Sequence, residues 1–105
     1  MGMIYKNVPG QKLAVWARNS SYAGVTDDQA NITAQISLDG GACAATNDTN
    51  PTQLDSTDTP GIYIFDLTQA ETNADLIVVS PVSTTGTTII EPVIAYTQPY
   101  PKPVR

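Results

Sequence analysis

The sequence predicts an all-β domain of two packed antiparallel sheets, and three observations predict it. Short segments alternate apolar and polar residues with period two, turn signals separate them at close intervals, and no stretch has the 3.6-residue period of a long helix. About seven strands are expected, with one short helical turn. The expected layout is an N-terminal arm over 1–10, a sandwich over 11–97 and a proline-rich arm over 98–105. A chain of 105 residues is one domain by size, and its 41% hydrophobic share suffices for a core.

Gln11 to Ala17 puts Leu13, Val15 and Ala17 on one face and Lys12, Ala14 and Trp16 on the other. Trp16, the single tryptophan, is expected in the core or packed on the sheet. Asn19-Ser20-Ser21 and Ala23-Gly24 read as a loop. Ile32 to Leu38 alternates strictly and describes a half-buried strand with one wet face. Asp39-Gly40-Gly41 is a hairpin signal, and Ala42 to Thr46 is the expected return strand, with Cys43 packed as a small hydrophobe. Asn47 to Thr52 is turn-rich, Thr52 to Asp55 a short strand, and Asp58-Thr59-Pro60-Gly61 a second turn. In the strand Ile62 to Leu67, the face carrying Tyr63, Phe65 and Leu67 is taken as inward.

Thr68-Gln69-Ala70-Glu71 fits a capping box, with room for only one or two helical turns before Asn73 and Asp75. Leu76 to Val82 is a nearly continuous apolar strand in which Pro81 implies an edge or bulge. Thr84-Thr85-Gly86-Thr87 is expected to be a hairpin turn and Ile89 to Thr97 the last strand, where Pro92 again implies an edge or bulge. The tail Gln98-Pro99-Tyr100-Pro101-Lys102-Pro103 cannot continue a ladder, because proline has no N–H, and favours a polyproline-II arm. The turn and strand from Asp58 to Tyr63 resemble the tyrosine corner of immunoglobulin-like sandwiches, in which a Tyr hydroxyl bonds upstream backbone. An immunoglobulin-like sandwich is therefore the expected fold.

Charge and residue types narrow the function. Ten acids against five bases give a net charge of −5, which removes the clustered cations that nucleic-acid binding needs. With no histidine and one cysteine, the chain cannot build a His/Cys zinc site, a Cys-His pair, a Ser-His-Asp triad or an internal disulfide. Asn47, Asp48, Asn50, Asp55 and Asp58 offer oxygen donors, but not at EF-hand spacing. The adjacent Asp27 and Asp28 are expected to point apart, unlike a glycosidase pair. No catalytic, cofactor-binding or metal-ligating residue is assigned, and no cofactor is expected.

No apolar run approaches the roughly 18 residues needed to cross a bilayer, so no membrane partner is expected. Lys6 interrupts the first residues where a signal peptide needs an apolar region, and it stands where a myristoylation pattern needs Ser or Thr. The glycosylation patterns at Asn19, Asn31 and Asn47 are then idle. Lys6, Lys12 and Arg18 lie near one end and Lys102 and Arg105 at the other, while every acid lies between Asp27 and Glu91. Basic ends on an acidic body suggest ends that meet an acidic neighbour.

Several segments together resemble small β-sandwich virion structural proteins of tailed bacteriophages. They are Asn7-Val8-Pro9-Gly10-Gln11-Lys12-Leu13, Ala30-Asn31-Ile32-Thr33-Ala34-Gln35-Ile36-Ser37, Asp39-Gly40-Gly41 and Thr46-Asn47-Asp48-Thr49-Asn50-Pro51-Thr52. Pro60-Gly61-Ile62-Tyr63, Phe65-Asp66-Leu67-Thr68-Gln69-Ala70-Glu71-Thr72-Asn73 and Ile90-Glu91-Pro92-Val93-Ile94 continue the likeness up to Thr97. The resemblance implies a non-enzymatic virion protein assembled in the host bacterial cytoplasm. Longer relatives run on past the last strand whereas this chain ends at Arg105, which favours a compact accessory subunit over a fibre.

The expected role is a capsid decoration or cement protein on the major capsid protein, with other virion subunits or self-association as further partners. The alternatives are a tail or baseplate connector or fibre anchor, and a displayed adhesion or carbohydrate-binding module using Tyr22, Tyr100 or Trp16. Docking is assigned to Met3, Ile4, Tyr5 and Lys6 and to Tyr96, Pro99, Tyr100, Pro101, Lys102, Pro103 and Arg105. Structural roles are assigned to Trp16, Tyr63 and Phe65.

Overall fold

A computed structural model describes residues 4–99, so the assignments to Met3, Tyr100, Pro101, Lys102, Pro103 and Arg105 lie outside the described residues. The strands are β1 (Ile4–Tyr5), β2 (Gln11–Arg18), β3 (Ile32–Leu38), β4 (Ala44–Ala45), β5 (Thr52–Asp55), β6 (Thr59–Leu67), β7 (Leu76–Ser83), β8 (Ile89–Ile90) and β9 (Val93–Gln98). They form a five-stranded sheet in the order β1-β9-β7-β3-β4 and a four-stranded sheet in the order β5-β6-β2-β8. The orders β9-β7-β3 and β2-β6-β5 are those of the G-F-C and B-E-D strands of an immunoglobulin sandwich. The fold is an all-β sandwich.

The inward faces are the ones the alternation marks. Leu13, Val15 and Ala17 of β2, Ile32, Ala34 and Ile36 of β3, Tyr63, Phe65 and Leu67 of β6, and Ile77 and Val79 of β7 form one buried cluster. Each large side chain removed from water there contributes about 1.5–3 kcal/mol before ordering costs. Trp16 is 41% exposed, on the outer face of β2 beside Ile62. Its parity, opposite Leu13 and Val15, outweighs its hydrophobicity, so it is not a core residue.

The N-terminal segment is not an arm over its described part. Ile4 is in the core, and β1 pairs with β9 in parallel, Ile4 opposite Thr97 and Tyr5 opposite Gln98. Gln11 fixes this turn by accepting from the Tyr5 N–H at 2.8 Å and donating to the Tyr5 and Val8 carbonyls. Thr72 holds the next residues: its carbonyl accepts from Asn7 N–H, and its hydroxyl accepts from Val8 N–H and donates to the Val8 carbonyl.

Several local expectations change. The last strand is two: β8 lies in the four-stranded sheet against Arg18 and Ala17, and β9 in the five-stranded sheet against β7. Glu91-Pro92 breaks the ladder, and the chain crosses between layers there, so the 84–87 turn joins two sheets and is no hairpin. The return strand after Gly41 shrinks to Ala44–Ala45, and Cys43 is exposed, because an alanine-rich run has little to pack against a sheet. Loop groups cover the rest of the β3 edge instead, Thr46 N–H donating to Ala34 O and Asn50 Nδ2 to Ile32 O at 2.9 Å.

β6 begins at Thr59, and Pro60-Gly61 forms a bulge rather than a turn, the register stepping from Gln53↔Tyr63 to Asp55↔Thr59. Gly61 has φ +90°, and a Cβ on it would come within 2.5 Å of Ala17 O. The turn itself is 55–58, where the Asp55 carboxylate accepts from the N–H groups of Thr57 and Asp58, which hold it below the usual carboxylate range.

Two short 3-10 turns are present, Gln29–Asn31 and Ala70–Thr72, where one was expected. The second follows the capping box: Thr68 Oγ1 accepts from Glu71 N–H at 3.2 Å, and Glu71 Oε1 accepts from Thr68 N–H at 2.9 Å. Pro81 sits where β7 is locally an edge, since β9 pairs only with Leu76 to Val79. Thr84 N–H faces Asn31 O, so by alternation position 81 faces away from β3, where its missing N–H has no partner to disappoint.

Candidate interaction surface

Of the residues assigned to docking, the described ones from opposite ends of the sequence meet on one sheet edge. Parallel pairing of β1 with β9 sets Ile4, Tyr5 and Lys6 beside Thr97, Gln98 and Pro99, and Lys6 N–H donates to Gln98 O at 2.8 Å. Ile4 points into the core, and Lys6, though exposed, is already engaged on the surface. Ile4 is 7% exposed, and the Lys6 ammonium is 3.0 Å from the Asp75 carboxylate, so the charge expected to seek an acidic neighbour is paired within the chain. Pro99 is exposed, and Tyr96 is 76% exposed.

Tyr96 belongs to an apolar patch that the sequence reading did not assemble. On the outer face of the five-stranded sheet, Tyr96 lies opposite Leu76 and Ile94 opposite Val78, with Val82 further along β7. The remaining outward positions of β3, β7 and β9 are Thr33, Gln35, Ser37, Ser80 and Gln98, so no outward position on these three strands carries a charge. Alternation was legible in each strand; the register that brings Leu76 and Val78 beside Tyr96 and Ile94 was not.

The opposite outer face is charged and internally paired. Lys12 bonds Asp66 across β2 and β6, and Arg18 reaches Glu91 at 3.3 Å while its guanidinium lies 4.2 Å over the Tyr22 ring. Trp16 and Tyr22 therefore sit on a surface whose charges already have partners.

At the end of the sandwich where β3 and β6 begin, Asp28 is a buried hub. Its Oδ1 accepts from Asn31 Nδ2 at 2.9 Å and Thr85 Oγ1 at 2.7 Å, and its Oδ2 accepts from Ser83 Oγ at 2.6 Å. Burial pushes the carboxyl up, but these hydrogen bonds prevail and hold it below the usual range. Tyr63 completes the tie, its hydroxyl donating to Val25 O at 2.7 Å and accepting from Asp28 N–H at 3.0 Å. Burial, with the Asp28 and Asp27 charges, raises the Tyr63 hydroxyl against the lowering effect of that N–H. Tyr63 is thus no tyrosine corner: it stands on β6 and binds a loop 35 to 38 residues upstream.

At the other end, an open groove of about 440 Å³ runs beneath the β3–β4 loop, lined by Ile36, Leu38, Ala44 and Ala45 with Glu71 at its side. The Glu71 carboxylate is occupied with backbone, Oε2 accepting from Asn47 N–H at 3.0 Å. Of the loop oxygen donors, Asp48 accepts from Asp66 N–H and Asp55 closes its own turn. Among the described residues no group of three or more His, Cys, Asp or Glu is placed to hold a metal, and no helix is long and apolar enough to cross a membrane.

No family model matches the chain, and neither a curated protein nor a solved structure matches it.

Proposed function

We propose that this chain is a non-enzymatic structural subunit of a tailed-phage virion, a decoration protein that docks on the outer surface of the major capsid shell. The observation that carries the reading is the β1–β9 seam, which gathers both ends of the domain on one exposed edge, so that one footprint on a shell engages residues from both. The likeness of its segments to virion sandwich proteins supports the same reading. A subunit that binds assembled shell but not free capsid protein stabilises the assembled state by mass action, with no chemical step. Many copies add shallow contacts into strong retention.

The test is copy number per particle, measured by quantitative mass spectrometry of purified virions against the major capsid protein. Copies by the hundred support decoration. A handful per particle moves the subunit to the tail or baseplate, and absence from particles overturns the proposal.

A further inference from the structure

The geometry points to a second copy of this chain as the occupant of the uncharged outer face of the five-stranded sheet, in a twofold pair with Ile94, Tyr96, Leu76 and Val78 at its centre. This inference does not rest on the virion reading.

Two features select a second copy. The first is self-complementarity. In a twofold pair residue i of one copy meets residue j of the other, so a patch of a single charge sign would face its own sign. Here the centre is apolar and the surrounding Thr33, Gln35, Ser80 and Gln98 are hydroxyls and amides, each both donor and acceptor, so any two of them brought together across the axis can bond. The second is the charge of the rest. With a net charge of −5, two copies repel when charged surfaces approach, and the outward positions of β3, β7 and β9 are where they can meet without placing carboxylates face to face. Ile94 at 64% and Tyr96 at 76% exposure are the apolar area this arrangement would remove from water.

Area sets the strength. Three strands of six to eight residues, at about 4.8 Å spacing and about 3.3 Å per residue, give roughly 330 Å² per copy and roughly 670 Å² for the pair. That is the size of a weak, reversible association and not of an obligate dimer.

Sedimentation equilibrium on the full chain tests it, with dimer fraction expected to rise over roughly 10–500 µM. Raising NaCl from about 50 to about 500 mM should tighten the dimer several-fold, because the contact holds no charge and salt screens the repulsion between bodies. The substitution Ile94→Glu should leave thermal unfolding within about 2 °C of wild type, as expected at an exposed site, and weaken association at least tenfold. Amide shifts on dilution should cluster on β7 and β9. A monomer at all concentrations overturns the proposal, leaving the face to another partner. So does a dimer that survives Ile94→Glu, or one whose shifts map to the β2–β6 face.

Discussion

The two ends of the sandwich are each tied by one buried carboxylate, and the two ties differ in kind. Glu71 binds backbone: the N–H groups of Thr68 and Asn47. Asp28 binds side chains: Asn31, Ser83 and Thr85, from segments up to 57 residues away. Glu71 serves a local turn and happens to reach a second loop. Asp28 exists only as a tertiary object, locking the loop before β3 to the turn after β7. In an immunoglobulin sandwich the loops at this end are free to vary in shape. Here they are fastened to each other and to Tyr63, which argues that this end is a rigid cap.

The sharpest test of that contrast is Asp28→Ala, expected to cost about 3 kcal/mol in urea unfolding, because three donors, two of them partly buried, lose their shared acceptor at once. A cost under about 1 kcal/mol would mean water replaces the carboxylate and the hub is not structural. The same carboxylate gives the end a pH signature. Its folded pKa is depressed, so its contribution is complete above the unfolded value of about 4 and is lost as pH falls through the folded pKa. The melting temperature should therefore fall on acidification below about pH 4 in the wild type and fall less in Asp28→Asn, which has no charge to lose.

Glu71→Ala should cost less, about 2 kcal/mol, since it orphans two backbone donors near the surface that water can reach. Hydrogen exchange should quicken at Asn47 and Thr68 while the amides of Asp28 and Asn31 stay protected. Smallest is Thr85→Val, which removes one of three donors to Asp28 and should cost about 1 kcal/mol. Combined with Asp28→Ala it should add almost nothing, and additive losses would show that the hydroxyl works through another partner.

How far each tie could be read from sequence follows from its reach. Glu71 was legible because Thr68 and Glu71 stand at the fixed spacing of a capping box. Asp28 was not, because its partners at positions 83 and 85 have no sequence relation to it, and next to Asp27 it reads only as one of two adjacent loop acids that point apart. Strands β2, β3, β5 and β6 followed from alternation and propensity, while the split of β8 from β9 needed Pro92 to be read as a change of layer. Trp16 shows the two signals in conflict: its parity placed it outside, and parity prevailed over residue type. Alternation gives a face; only register gives a surface, which is why the neutral patch on β7 and β9 became visible in the structure alone.

The parallel seam between β1 and β9 also sets how the domain answers force. The chain enters at the start of β1 and leaves at the end of β9, and because the strands run the same way these points lie at opposite ends of the seam. A pull between them slides β1 along β9, and the bonds of Lys6 to Gln98 and of Asn7 and Val8 to Thr72 are strained together instead of opening one after another. Tension along the chain is thus met in shear, and the first element to slip would be the short β1 with Ile4 drawn out of the core.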